Sequence, residues 1–270
     1  MNEIYDWDEN VKRNQNFPSS FRCLLIGESN SGKTCLLIKF LLEKRWLDYD
    51  NIILIGNSLY QLKYRIIIEA FKHGYTKEEV RILFKLRDHI MKSEARKHFC
   101  EDSENGLTEF LKGWKIQQFK NKKPSKNGNI TVKTYNSDED IPDPSGIDKK
   151  LKTIIIFDDT MNDRNQNIQK SYFTRGRHSN CSIFYLAQSY FALDRKSIRM
   201  NSNVLILFRL GEKDIQNLWS DRIQADLSMD EFRNFCRKAW NEDYGFVFID
   251  FTKTYKSRKR YLSHTELFQL

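Results

Sequence analysis

The segment GESNSGKT, Gly27 to Thr34, constrains this chain more than any other stretch, because of its own pattern and because of what flanks it. It satisfies G-x-x-x-x-G-K-[ST], a phosphate-binding pattern, at every fixed position. FRCLLI (Phe21 to Ile26) precedes it as a short apolar run. CLLIKFLLEKRW follows with apolar residues on a helical period and no Gly or Pro. A buried strand, a tight loop and a helix are therefore expected in that order. Glycine is needed where backbone wraps a phosphate oxygen, since a Cβ would block the approach. The N–H groups of Gly27, Glu28, Ser29, Asn30, Ser31 and Gly32, with those of the helix start, are expected to face the anion, and the helix dipole adds to the attraction. Lys33 is expected to reach the β- and γ-phosphates of a bound ATP, and Thr34 to place its hydroxyl on Mg²⁺.

The rest of the chain supplies the sheet such a loop needs. NIILIG (Asn51 to Gly56), TIIIFDD (Thr153 to Asp159), CSIFYLAQ (Cys181 to Gln188), VLILFRL (Val204 to Leu210) and FVFIDF (Phe246 to Phe251) are short apolar runs with helical segments between several of them. That alternation predicts an α/β fold with a mainly parallel central sheet flanked by helices. Residues 60–100 read as helical with a break at Gly74-Tyr75-Thr76, where Thr76 and Glu79 match a capping box. Residues 1–20 read as an N-terminal arm and 21–270 as a single domain. That domain carries an insertion at about 101–150, holding one exposed strand, ITVKTY, and a basic tail at about 253–270. No apolar run approaches the roughly 20 residues that cross a bilayer. The acidic start MNEIYDWDEN matches no leader peptide, so a cytosolic or nuclear-type compartment is expected. The cysteines Cys23, Cys35, Cys100, Cys181 and Cys236 show no CxxC, and His98 with Cys100 is too few ligands for zinc. Most read as small buried hydrophobes.

The second half of a nucleotide site is an acidic residue at the end of an apolar strand, and TIIIFDD ends in two. Asp158 is the candidate Mg²⁺ carboxylate. Asp159 stands where the additional-strand class of P-loop ATPases carries the base that polarises the attacking water. Its alternative role is a helix N-cap, and Glu28 is the next candidate base. Gln188, at the tip of another apolar run, is a candidate contact to the γ-phosphate or the water. The order strand-loop-helix, strand-DD, strand-Gln separates this chain from nucleotide kinases, which usually lack the polar strand tip.

Thr174 to Asn201, TRGRHSNCSIFYLAQSYFALDRKSIRMN, carries a more specific resemblance. It is similar to the HerA–FtsK superfamily of DNA-pumping ATPases, which show basic turns, an apolar strand ending in Gln and a polar segment leading to Asn. With an Asp-Asp acidic pair and this small size, the chain looks most like the A32-like genome-packaging ATPases of poxviruses, other large DNA viruses, virophages and Polinton-like elements. NSLYQLKY (Asn57 to Tyr64) is also similar to a feature of that group. The resemblance covers about residues 21–60 and 153–210. It implies an ATP-hydrolysing motor on double-stranded DNA, a homo-oligomeric ring, capsid or portal-vertex partners, and residence in the host cytoplasm, nucleus or virion. It also implies Lys33 and Thr34 on phosphate and Mg²⁺, Asp158 on the metal, Asp159 on the water and Gln188 as γ-phosphate sensor. An arginine from the neighbouring subunit completes such sites, and Arg175 and Arg177 are the candidates, with helix-end capping as their other role.

Charge bears on partners. The formal net charge is +9, and a basic surface favours polyanions, although a lysine-rich composition on solvated faces has the same effect. KTYKSRKRY (Lys253 to Tyr261) and the Lys112 to Lys126 cluster are candidate DNA contacts; the first also fits a lysine-guarded edge strand and the second a solvated loop. Two further functions stay open at this level: an ATP-gated nucleic-acid regulator without translocation, and a small-molecule kinase.

Overall fold

The computed structural model describes residues 17–43, 45–90, 130–136, 140–161 and 166–269. Residues 1–16 of the expected arm, much of the expected insertion, Cys100, His98 and the Lys112 to Lys126 cluster lie outside the described residues.

Eight strands form one sheet: β1 (Arg22–Ile26), β2 (Asn51–Gly56), β3 (Thr131–Tyr135), β4 (Thr153–Asp158), β5 (Cys181–Ala187), β6 (Val204–Leu207), β7 (Val247–Asp250) and β8 (Tyr261–Ser263). Their order across the sheet is β3-β2-β4-β5-β1-β6-β7-β8. The six from β3 to β6 in that order run parallel, with Leu24 opposite Tyr185 and Ile155 opposite Ile183. The strand carrying the acidic pair, β4, is separated from β1 by β5, so an additional strand stands between the phosphate loop and its acidic partner. The exposed strand expected within the insertion is β3, and it pairs with β2 as the sheet's outer strand.

The sheet is mainly parallel, as expected, and its antiparallel part lies at the edge that holds the run at Phe246 to Phe251: β7 pairs antiparallel with β6 and β8 antiparallel with β7. After β6 the chain passes through α5 (Glu212–Leu218) and α6 (Met229–Ala239), returning to the edge it left. The Trp240 indole N–H donates to Leu207 O at 2.9 Å and pins that return. A buried apolar run reports burial on both faces and carries no sign of direction.

Alternation along the strands feeds two cores. Cys23, Leu25, Ile52, Leu54, Ile154 and Ile156 pack beneath α1 (Lys33–Leu42), α2 (Leu62–Lys72), α3 (Lys77–Ile90) and α7 (His264–Gln269). Leu24, Ile26, Ile53, Ile55, Ile155 and Phe157 pack beneath α4 (Asn167–Arg175), α5 and α6. Phe17 is buried in the first core with its ring 4.7 Å from Phe21 and 5.1 Å from Phe40, so the packed domain already includes the last residues assigned to the arm. The basic segment after 253 is likewise not a free tail: β8 closes the sheet, and Leu262 and Leu267 are buried.

The capping box read at Thr76 is present, with Thr76 N–H donating to Glu79 Oε2 at 2.8 Å and Glu79 N–H to Thr76 Oγ1 at 3.3 Å. Cys23, Cys181 and Cys236 are buried, whereas Cys35 is exposed in the first turn of α1. No helix among the described residues is long and apolar enough to cross a membrane.

Candidate functional site

Parallel strands end together, and the chain's polar chemistry collects where β1, β2, β4, β5 and β6 end. Open parallel sheets bind ligands beyond these carboxyl ends. Asn30 (φ 63°) and Gly32 (φ 101°) are both left-handed, a loop geometry suited to presenting backbone N–H groups to an anion. The Gly27 N–H, however, donates to Ala187 O and the Ser31 N–H to Glu28 O, each at 3.2 Å, so these two do not face the anion as expected. Gly32 is also the N-cap of α1, whose first-turn N–H groups have no partner within the helix. A Cβ at Gly32 would lie 3.1 Å from Tyr244 Cδ1, on top of the left-handed φ that side chains resist. The Lys33 ammonium donates to Gly27 O at 2.6 Å and Glu28 O at 2.8 Å. Burial lowers its pKa, and the carboxylates of Asp158 and Glu28 oppose that shift.

Asp158 ends β4 in a half-buried position. Burial raises its carboxyl above the ordinary range, a hydrogen bond from Tyr64 acts the other way, and the charge of Asp159 adds to the rise. The Tyr64 hydroxyl donates to Asp158 Oδ2. Gly56 lies opposite Asp158 in the sheet, and a Cβ there would meet the Asp158 carbonyl at 2.1 Å.

Asp159 adopts φ 57°. It is held by the segment after β2: Ser58 Oγ donates to Asp159 Oδ2 at 2.8 Å and Asn57 Nδ2 to its carbonyl at 3.3 Å. The helix that follows, α4, has Gln166 at its N-cap, so Asp159 does not cap it. Gln188 follows β5 directly and is exposed at the same edge. Lys33, Thr34, Asp158, Asp159 and Gln188 all line one cavity of about 810 Å³, a size ordinary for small-ligand sites. Glu28 presents its carbonyl to Lys33 but lies outside the cavity wall.

The Thr34 hydroxyl and the Asp158 carboxylate, both in the wall of this cavity, are hard oxygen donors, the set Mg²⁺ prefers when substrate phosphates supply further oxygens. The raised carboxyl of Asp158 suits this, because a cation beside it offsets the burial that disfavours its charge. The residues present therefore fit a magnesium–nucleotide complex.

Arg175 and Arg177 precede β5, so they stand at the opposite end of the sheet from residues 27–34, one strand length or roughly 20 Å away. Arg175 pairs with Asp143 at 2.6 Å and reaches Ser171 Oγ at 2.5 Å. Arg177 is exposed and donates to the His178 ring at 3.3 Å, and its charge acts on the Arg22 guanidinium. The basic turn of residues 251–260 joins β7 to β8 at that same far end. Lys256, Arg258 and Lys259 are exposed there, while Arg260 and Tyr261 are committed to Asp226.

Three contributors were not singled out from the sequence. Ser58 and Tyr64 lie within NSLYQLKY, whose polar residues directly after a strand were the available signal. Tyr244 has no sequence signal beyond being an aromatic beside Gly245.

No protein-family model and no curated protein matches the sequence. Among solved structures, the chain is similar to B204, the DNA-packaging ATPase from Sulfolobus turreted icosahedral virus (12% identity, 92% of this chain and 98% of that chain, TM-score 0.49). It is similar to the genome packaging NTPase B204 from Sulfolobus turreted icosahedral virus 2 in complex with sulfate (13% identity, 92% and 97%, TM-score 0.48). A third similarity is to VirB4 of Thermoanaerobacter pseudethanolicus (10% identity, 86% and 87%, TM-score 0.43).

Proposed function

We propose that this protein is an ATP-hydrolysing motor that translocates double-stranded DNA and packages a viral or virus-like genome into a capsid. The observation that carries the nucleotide part is the meeting of Lys33, Thr34, Asp158, Asp159 and Gln188 in one cavity, from two strand ends and a helix start. The DNA and capsid part rests on the A32-like resemblance of Thr174 to Asn201 and of the Asp-Asp pair.

The loop at 27–34 and the Lys33 ammonium bind the triphosphate. Thr34 and Asp158 would hold Mg²⁺, which supplies charge neutralisation at the phosphate oxygens when bound. Asp159, oriented by Ser58, accepts a proton from the attacking water as its oxygen bonds to the γ-phosphorus and ADP departs. Gln188 helps fix that water. In a ring of identical copies, Arg177 is the candidate charge from the neighbouring subunit.

The test is an ATPase assay with and without duplex DNA, comparing wild type with Lys33→Ala. Turnover stimulated by DNA and lost in Lys33→Ala, with the fold intact, is the expected result. Hydrolysis at the wild-type rate in folded Lys33→Ala would remove the nucleotide reading. Turnover indifferent to DNA at low salt would leave an NTPase without the DNA function.

A further inference from the structure

The cavity has a second end that the phosphate chemistry does not use. Asp158 and Asp159 stand at the end of β4 and Gln188 at the end of β5, so a triphosphate seated with its γ-phosphate there directs its sugar and base away from these strands. In the sheet order that direction leads toward β6, β7 and β8. There the wall changes character to Phe208, Tyr244, Phe246 and Phe268.

Tyr244 stands out among these. Its ring lies against Gly32 of the phosphate loop, yet the residue is 71% exposed, a large hydrophobic surface left to solvent beside the loop. Its backbone is left-handed at φ 59°, a conformation that bulky side chains resist and that recurs at functional sites. Local contacts hold it there. Gly245 N–H closes a turn onto Glu242 O at 3.0 Å, and the Glu242 carboxylate pairs with the His264 ring at 2.8 Å, tying the turn to the start of α7. The other aromatic residues of this wall, Phe208, Phe246 and Phe268, are packed on one another and leave the Tyr244 ring as the accessible platform.

We propose that Tyr244 is the stacking platform for the nucleobase, so that the loop between α6 and β7 supplies the base end of a site whose phosphate end is residues 27–34. The proposal rests on the nucleotide reading above. Aromatic faces take any planar base, so stacking sets affinity for nucleotide over bare phosphate more than it discriminates between bases.

The experiment is calorimetric titration, with Mg²⁺ present, of ATP and of inorganic tripolyphosphate into wild type, Tyr244→Ala, Tyr244→Asn, Tyr244→Phe and Lys33→Ala. Tyr244→Asn removes the ring while suiting a left-handed backbone, so a loss shared with Tyr244→Ala is a loss of the ring and not of the turn. About tenfold weaker ATP binding is expected in both, with tripolyphosphate affinity unchanged and Tyr244→Phe close to wild type. ATP affinity within about twofold of wild type in Tyr244→Ala and Tyr244→Asn overturns the proposal, as does an equal loss for tripolyphosphate. Unaltered binding of both ligands in Lys33→Ala would instead overturn the nucleotide reading.

Discussion

Two adjacent aspartates sit in different surroundings, and the proposed function gives them different work. Asp158 is half-buried, while Asp159 is exposed, adopts φ 57° and is held by Ser58. Asp159→Asn keeps the shape and removes the charge that, in the proposed mechanism, takes the proton. Turnover is expected to fall about 100-fold or more while ATP affinity stays within about threefold. Steady-state kinetics beside equilibrium binding checks this, and turnover within about threefold of wild type would move the base elsewhere. For Asp158 the sign follows from its raised carboxyl. The folded chain holds that proton more tightly than the unfolded chain, so this group's stability contribution is full below the ordinary carboxylate value and is lost as pH rises through the raised one. At neutral pH the buried charge is a net cost in the ligand-free protein. Asp158→Asn should therefore melt above wild type at pH 7, with the gap closing as pH falls through the Asp158 titration. Thermal melts across pH 4 to 8 without nucleotide decide it, and a variant that melts at or below wild type at pH 7 refutes the assignment. The identities of both aspartates were legible, because an acidic pair ending an apolar run has few other uses. The role of Tyr64 was not, since it arises only when a residue 94 positions away comes to the same strand end.

At the level of elements, the strand ends depend on close backbone approach. Gly56 ends β2 beside the last residue of β4, where a methyl group would sit 2.1 Å from the Asp158 carbonyl. Gly56→Ala must push β2 and β4 apart at the point that aims Asp158 and Asp159. A stability loss of about 1–3 kcal/mol, typical of overpacking, is expected together with a loss of turnover larger than the loss of ATP binding. Denaturant melts and kinetics on one preparation test this; unchanged stability would mean that the two strands yield freely there. The strands themselves were readable, since Asn51 to Gly56 and Thr153 to Asp158 are unbroken apolar runs that only a sheet covered on both faces can bury. Direction was not readable for β7. Phe246 to Phe251 has the same apolar character as β6, and only the return through α5 and α6 makes it antiparallel. Nor was the closing of the fold by β8 and α7 visible, because Lys253 to Arg260 masks Leu262 and Leu267 behind a basic turn.

For the whole molecule, the geometry separates the two halves of the reaction the resemblance implies. Lys33 and its carboxylates occupy one end of the sheet, while Arg175 and Arg177 occupy the other, too far to serve their own site. Arg175 already has a carboxylate partner in Asp143, which leaves Arg177 as the arginine open to another copy. An arginine finger supplied between subunits is worth roughly 10³–10⁵ in rate, so Arg177→Ala should bind ATP normally and hydrolyse it poorly. Mixing Arg177→Ala with Lys33→Ala should then restore part of the activity, because some interfaces join an intact phosphate loop to an intact arginine. Specific activity of wild type should also rise with protein concentration, and duplex DNA should stimulate more at low salt than at high salt, since phosphate contacts release counterions. Sizing of each protein alongside the mixing assay shows whether copies associate. Two mutants that co-assemble without complementing would place the arginine's work outside the neighbour's site, and a wild type fully active as a monomer would remove the need for a ring.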